Sequence, residues 1–402
     1  MEEMKGHFCS KPFKNAEFHL NGEVFVCCPN WLNRSIGNIS NTEIDDVWNS
    51  QKAIDIRTSI LDGSYRYCNH LICPHIQSKN FPVPSEFKSS FEKIIDKKQV
   101  VLESLPSEIM LTYDLSCNLS CPSCRVEKIS HSSDSLEYKQ SMAFTEKIYK
   151  KFIENLGNNH LTLNITGSGD PFASLVFRKF IESLDGKKYP NLKIEFQTNG
   201  LLLTPMMWER LNNVRNNITR LLVSIDAATE ETYLNVRRGG NWQLILENMK
   251  FLAQERKKYN IELLQANFVV QKNNYLEMEA FAKLFIGIGC TSVYFSLMND
   301  WGTWSKEEFN KQLVWNENHS EFDSFITALQ GNIFSHHKVY LGNLTAYRKL
   351  AIERRVRKGH YLNRIVSFVE LKLRDILNRL WRKKFFLPNK VIKILKLILN
   401  NL

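Results

Sequence analysis

From Pro106 onward the chain alternates between short apolar runs rich in β-branched residues and longer stretches whose apolar positions recur at helical spacing. SEIMLTYDL, HLTLNITG, NLKIEFQTNG, ITRLLVSID, IELLQANFVVQ and TSVYFSLM read as six strands. FTEKIYKKFIENLG, ASLVFRKFIESLDG, TPMMWERLNNV, NWQLILENMKFLAQERKK and YLEMEAFAKLFIGIG read as the helices between them. Strands joined by helical crossovers pair in parallel, in an open sheet or a barrel. Residues 1–85 keep neither rhythm. They are punctuated by turn signals, with a hairpin expected about Asn21-Gly22, between AEFHL and EVFVC. A helical stretch, NTEIDDVWNSQKAIDIRTSILDG, follows, with Gly63 as its cap. Beyond residue 346 the pattern changes again, to Leu, Ile, Val and Phe mixed with Lys and Arg at helical spacing. Ile365, Phe368, Val369, Lys372, Ile376 and Leu380 fall near one stripe before Pro388 interrupts it.

Composition adds a size and a charge map. A chain of 402 residues, 43% hydrophobic and 24% charged, suits a large α/β domain with appendages. The net charge of +11 is local: residues 348–402 carry 16 Lys/Arg against 3 Asp/Glu, which leaves the remainder near neutral. An apolar and cationic helix suits an anionic membrane surface. A core-packing helix with a solvated basic face has the same pattern. Nucleic acid is disfavoured, because aromatic interleaving is sparse and no binding motif is present. No apolar run approaches the roughly 18 residues of a membrane span. The start, MEEMKGHFCSKPF, lacks a basic flank followed by an apolar core. The expectation is a cytoplasmic protein with peripheral contact at the inner face of the membrane through residues 361–402.

The nine cysteines carry the chemistry. In a reducing compartment such clusters are metal ligands more often than disulfides. Cys290, alone in GIGCTSVYF, reads as a small buried hydrophobe. YDLSCNLSCPSCRVEK places Cys117, Cys121 and Cys124 directly after the first strand, where α/β folds build their sites. Four thiolates would close a cubane iron–sulfur cluster; three leave one iron to bind something else. Structural zinc sites usually set cysteines in separated CxxC pairs, which makes this spacing a poor zinc pattern.

CxxxCxxC in this position resembles the signature of the radical S-adenosylmethionine (SAM) enzymes. The resemblance extends in order along the strand ends, over roughly residues 106–304. NITGSGDPF is similar to the glycine-rich segment, through Gly167, Ser168, Gly169 and Asp170, with Asp170 where the family usually carries Glu. FQTNG resembles the ribose-side segment, through Thr198 and Asn199. VSIDAATEETYLNVRRGGNW resembles the fourth-strand segment, in which Ser224 and Arg237 would meet the methionyl carboxylate. NFVVQKNNYLEMEAF looks like the fifth-strand segment, and YFSLMNDWGTWS would put Leu297 near the adenine. Ser123 stands where an aromatic residue usually precedes the third cysteine. The resemblance implies a partial (β/α)6 barrel over residues 106–304. A core extension over 305–346 and a basic amphipathic helical tail over 347–402 would follow. It also implies that Cys117, Cys121 and Cys124 hold a [4Fe–4S] cluster whose fourth iron chelates SAM.

Residues 1–85 resemble a SPASM-type auxiliary iron–sulfur domain, a module that normally follows the core and here precedes it. Cys9, Cys27, Cys68 and Cys73 would bind one auxiliary [4Fe–4S] cluster, with the adjacent Cys28 a possible substitute for Cys27. Five cysteines do not close two clusters. Four cysteines are also a common zinc set, and His70 and His75 flank the last pair. The implied activity is reductive cleavage of SAM to a 5′-deoxyadenosyl radical, which abstracts hydrogen from a substrate carbon. The electron donor would be of the ferredoxin or flavodoxin kind. The basic tail points to a sugar or lipid-linked cell-surface intermediate as substrate, and the SPASM-like module to a peptide in the alternative. A reading of another class is a non-catalytic metal-binding scaffold or sensor, which would have no need of the ordered SAM segments.

Overall fold

The computed structural model describes residues 7–71, 73–78, 81, 88–165, 168–259, 261–357 and 372. Its strands are β1 (Asn15–Phe18), β2 (Glu23–Phe25), β3 (Gly37–Asn38), β4 (Glu108–Leu111) and β5 (Leu161–Ile165). β6 (Leu192–Thr198), β7 (Ile218–Ser224), β8 (Leu263–Val270), β9 (Ser292–Leu297) and β10 (Val339–Tyr340) complete the set. All ten lie in one sheet, ordered β10-β9-β8-β7-β6-β5-β4-β1-β2-β3. The six runs read from the sequence are β4 to β9, each parallel to the next.

Alternation along these strands separates two faces. Leu161, Leu163 and Ile165 of β5, and Leu264, Ala266, Phe268 and Val270 of β8, are sealed from solvent. They belong to the layer of buried side chains to which the crossover helices contribute. Phe268 meets Phe281 of the helix Met278–Ile288 edge-on at 4.8 Å, and Phe281 meets Phe295 of β9 at 6.0 Å. Truncating a buried ring of this kind typically costs about 3–5 kcal/mol. The residues between them are half-buried and mostly polar, and several bond sideways across strands. Asn164 Nδ2 donates to Glu195 at 3.2 Å and Arg220 to Glu195 at 3.5 Å. Ser292 Oγ of β9 donates to Gln265 Oε1 at 3.1 Å, and Gln265 Nε2 donates along β8 to Asn267 at 2.7 Å. The sheet therefore offers one apolar face to helices and one hydrogen-bonding face to its interior.

The N-terminal region joins this sheet. β1 runs parallel to β4, with Asn15 opposite Glu108, and β1 and β2 form an antiparallel hairpin. The hairpin is turned by Asn21 and Gly22, at φ 58° and 81°. Lys14 Nζ lies 2.5 Å from Glu108, which ties the same edge by charge. The expected helix about residues 41–63 is two helices, Ile44–Trp48 and Gln51–Leu61. Ser50 breaks the run because its side chain accepts from Ala53 N and caps the second helix. Gly63 follows it in the left-handed region, at φ 76°. The helix read from Phe144 begins earlier, at Leu136, capped by Ser135, and ends in a π turn over Tyr149–Ile153. The stripe from Ile365 to Leu380 and the membrane contact expected of residues 361–402 lie outside the described residues, Lys372 apart. Among the described residues no helix is long and apolar enough to cross a membrane.

Candidate functional site

β4 ends at Leu111, and the chain then turns through Thr112–Ser116 into the three-cysteine loop. Asp114 pins this turn. Its carboxylate accepts from Ser116 N at 2.8 Å and from Ser174 Oγ at 2.7 Å. Cys117 N donates to Ile129 O at 2.8 Å, and Ser120 N to Arg238 O at 3.0 Å, so the loop is closed at one end and fastened to the segment after β7. Cys124 N and Arg125 N both donate to Cys121 O, at 2.9 and 3.0 Å, which curls the second half into a turn.

Each thiol has a nitrogen donor beside it. Leu119 N lies 3.5 Å and Asn199 Nδ2 3.8 Å from Cys117 Sγ. Arg237 lies 3.8 Å from Cys121 Sγ, and Arg125 3.6 Å from Cys124 Sγ. Cys121 is buried and Cys124 exposed. Burial pushes the Cys117 and Cys121 thiols above their ordinary values, opposed at Cys117 by the Leu119 N–H and at Cys121 by the Arg237 guanidinium.

The glycine-rich segment docks against this loop. Asp170 N donates to Ser116 O at 2.8 Å, and Gly169 sits so close that a Cβ there would meet the carbonyl oxygens of Ser116 and Asp114. Only glycine fits. Gly167 lies outside the described residues, whereas the Ser168 carbonyl accepts from Arg125. Asp170 is 1% exposed, and its carboxylate is committed within the chain. It accepts from Thr198 Oγ1 at 2.7 Å, Asn199 N at 2.8 Å, Phe172 N at 3.0 Å and Ala173 N at 3.3 Å. Burial raises its pKa and these four bonds oppose the rise. Asp170 thus clasps the ends of β5 and β6. Asn199 extends the clasp, its Nδ2 donating to Asn118 Oδ1 at 2.8 Å.

Hydrogen bonds therefore join Cys117, Cys121 and Cys124 to Ser168, Asp170, Thr198, Asn199 and Arg237, with Gly169 seated against the Ser116 and Asp114 carbonyls. Ser224 ends β7 opposite Asn267 of β8, and Leu297 ends β9 with its N–H on Asn343 Oδ1 at 2.9 Å. Both stand at strand ends on the same side as the loop, without a bond to it. Reading the sequence missed Asp114, Arg125 and Asp226. The first two flank the cysteines directly, so their place in the motif was the available signal. Asp226 lies two residues past Ser224 and meets Arg237 only through the fold, with Arg237 2.6 Å from its Oδ2.

A second group of thiols lies in the N-terminal region. Cys9, Cys27, Cys68 and Cys73 line one cavity, with Tyr65 and His75 among its other walls. Cys28 is not in this lining; its sulfur faces the backbone N–H groups of Asn30 and Trp31 at the following turn. His70 is turned to the Tyr65 carbonyl, with Nε2 at 3.0 Å, and His75 packs edge-on against Trp31. Burial pushes Cys9 up to about 11 and Cys68 up to about 12, and raises Cys27 well above the ordinary thiol value. Without iron these are neutral thiols, so ligation must release their protons.

The residues fit iron–sulfur clusters by the chemistry of the donor set: three thiols in one loop, four around one cavity. Among the described residues no three His, Cys, Asp or Glu side chains converge as a single metal ion requires. A cubane instead takes each thiolate on a separate iron.

The comparisons agree with this reading. The model of the radical SAM superfamily matches residues 115–296, and that of the SPASM iron–sulfur cluster-binding domain matches residues 9–74. No curated protein gives a match. Among solved structures, native anSMEcpe with bound AdoMet is 21% identical, with 57% of this chain and 59% of that chain covered, at a TM-score of 0.38. SuiB of Streptococcus suis bound to S-adenosylmethionine is 16% identical, with 65% and 57% covered, at 0.38. TYW1 with a lysine-pyruvate adduct is 14% identical, with 56% and 71% covered, at 0.35. The chain spans less than two thirds of the length of the first two. With its cysteine loop, strand ends and N-terminal thiol cavity in these places, the chain belongs to the radical SAM superfamily and carries a SPASM-like iron–sulfur domain ahead of its core.

Proposed function

We propose that the protein cleaves SAM reductively to methionine and a 5′-deoxyadenosyl radical, which takes a hydrogen atom from a substrate carbon. The observation that carries this is the loop after β4. Its three thiols each stand beside a nitrogen donor, and it is fastened to the ends of β5, β6 and β7. A cluster held there would supply the electron. The chain's own part is to present Cys117, Cys121 and Cys124 as ligands and to hold the glycine segment against them through Arg125. The Asp170 clasp fixes the β6 end, where Asn199 stands. Cys9, Cys27, Cys68 and Cys73 would hold the auxiliary cluster. With four thiolates it would have no open iron, which favours electron transfer over substrate binding.

A sugar or lipid-linked intermediate is the substrate class favoured here. Half-buried amides of Asn164, Gln265 and Asn267 on the inner face of the sheet suit a hydroxyl-rich molecule, and the sequence of residues 348–402 is basic. A peptide is the second reading, resting on the SPASM-like domain. The test is anaerobic incubation of the iron-loaded protein with SAM, a ferredoxin- or flavodoxin-type donor and candidate substrates carrying deuterium on carbon. Deuterium appearing in 5′-deoxyadenosine with a sugar nucleotide or lipid-linked sugar supports the favoured substrate. Transfer from a peptide replaces it, and SAM left intact under all conditions refutes the enzyme reading.

A further inference from the structure

The two arginines beside the thiols differ in how their charge is balanced. Arg237 sits in a closed arrangement. One guanidinium nitrogen lies 2.6 Å from Asp226 Oδ2, another lies 3.8 Å from Cys121 Sγ, and its buried Nε has no partner among the described residues. The side chains of the pair are 13% and 3% exposed, so neither charge is solvated. Asp226 is itself held hard. Its backbone is left-handed at φ 64°, Val269 N donates to its carboxylate at 2.8 Å, and Asn274 Nδ2 donates to its carbonyl at 2.9 Å. A non-glycine residue is rarely found in that conformation, and the surrounding bonds hold it there. The result is a cation delivered to Cys121 with its counter-charge attached.

Among the described residues Arg125 has no such counter-charge. Its partners are the Leu115 carbonyl at 2.7 Å, the Ser168 carbonyl and Cys124 Sγ at 3.6 Å, with no carboxylate among them. It is 9% exposed, so water does little to screen it. A single side chain therefore spans the cysteine loop and the glycine segment and brings a positive charge without a carboxylate partner to the Cys124 thiol.

Resting on the cluster-bearing function proposed above, we infer that Arg125 is a positioning residue that sets the reduction potential of the cluster held by Cys117, Cys121 and Cys124. The Asp226–Arg237 pair is a charge-balanced support of the same cluster. Reduction adds an electron to a set of thiolate-bound irons that is already electron-rich. A nearby cation stabilises the reduced form and raises the potential, and hydrogen bonds to the sulfurs act in the same direction. At equal distance, a cation with its own carboxylate contributes less than one without. Arg125 should therefore dominate, although Arg237 is the more deeply paired of the two.

The test is the midpoint potential of this cluster, followed by electron paramagnetic resonance during anaerobic reductive titration of the iron-loaded full chain. Iron content is measured on each variant. Arg125→Gln removes the charge and is expected to weaken the reduced state about tenfold, which for one electron is about 59 mV lower. Arg125→Lys keeps the charge and loses the fork, and should recover most of that shift. Asp226→Asn keeps the size, removes the counter-charge and should move the potential upward. That opposite sign keeps the inference testable if the Gln variant fails to load iron. An Arg125→Gln protein with full iron and the wild-type potential overturns the inference. So does a Lys variant shifted as far as the Gln variant, or an Asp226→Asn protein shifted downward. A wild-type chain that binds no cluster would overturn the proposed function as well. A wild type that cleaves SAM while the variant potentials stay fixed would remove only this inference.

Discussion

The two groups of thiols sit on one sheet and solve different problems. In the loop after β4, every sulfur has an N–H donor, two of them guanidinium groups, and one cysteine is exposed. In the N-terminal cavity the four thiols are lined by Pro12, Leu32, Ile60, Ile76 and Phe81 as well as by each other. The charge of Lys11, which is part of that lining, is shared with Glu108 at 3.4 Å. One site is open at a corner and electrically supported; the other is closed and apolar. A site that must bind a polar cosubstrate needs the first arrangement. A site that only stores or passes an electron is served by the second, since exclusion of water and fixed ligands keep its chemistry uniform.

The sharpest way to break this contrast is to disturb one cysteine of the adjacent pair. Cys27→Ala is expected to lose about four of about eight irons per chain, while Cys28→Ala keeps them all, read by iron and sulfide analysis after anaerobic reconstitution. Equal loss in both would show that the cavity lining does not select the ligand.

The next effect falls on the clasp that shapes the open site. Asp170→Asn leaves a neutral oxygen for four donors and turns an amide N–H₂ towards some of them. A loss of about 2–3 kcal/mol in unfolding free energy is expected from the charge-assisted bonds. Denaturant titration measures it, and an unchanged midpoint would mean that the clasp holds nothing together. Gly169→Ala forces a methyl against the Ser116 and Asp114 carbonyls and should cost about 1–3 kcal/mol, with a matching fall in SAM cleavage.

The smallest effect is one of pH. In the iron-free chain, burial holds Cys9 up to about 11 and Cys68 up to about 12. A raised thiol pKa means fewer thiolates at neutral pH. Alkylation at both should therefore be slow at pH 8 and rise about tenfold per unit up to pH 11, with mass spectrometry assigning each site. The exposed Cys124 should react first. Fast labelling of Cys9 at pH 8 would mean that the cavity is not closed.

Much of this was legible in the chain. The six parallel strands follow from β-branched runs separated by helical spacing, because each buries one face against helices. The three-cysteine loop was visible because its ligands are eight residues apart or fewer. The pairing of β1 with β4 was not, since Asn15 and Glu108 meet across a long separation and nothing local to either announces the partner. Arg125 was in view beside Cys124, but its role depends on the Ser168 carbonyl, which the fold brings to it. Asp170 shows the converse. Its position was read from the resemblance as a cofactor contact, while its carboxylate bonds are spent on the ends of β5 and β6.

The most direct measurement pairs iron content with 5′-deoxyadenosine formation in wild type and in Cys124→Ala, both reconstituted anaerobically and reduced in the presence of SAM. Wild type should hold about eight irons and form 5′-deoxyadenosine, and the variant should keep about four and form none. A variant that still cleaves SAM, or a wild type that binds zinc and leaves SAM intact, would contradict the division of labour between the two thiol groups.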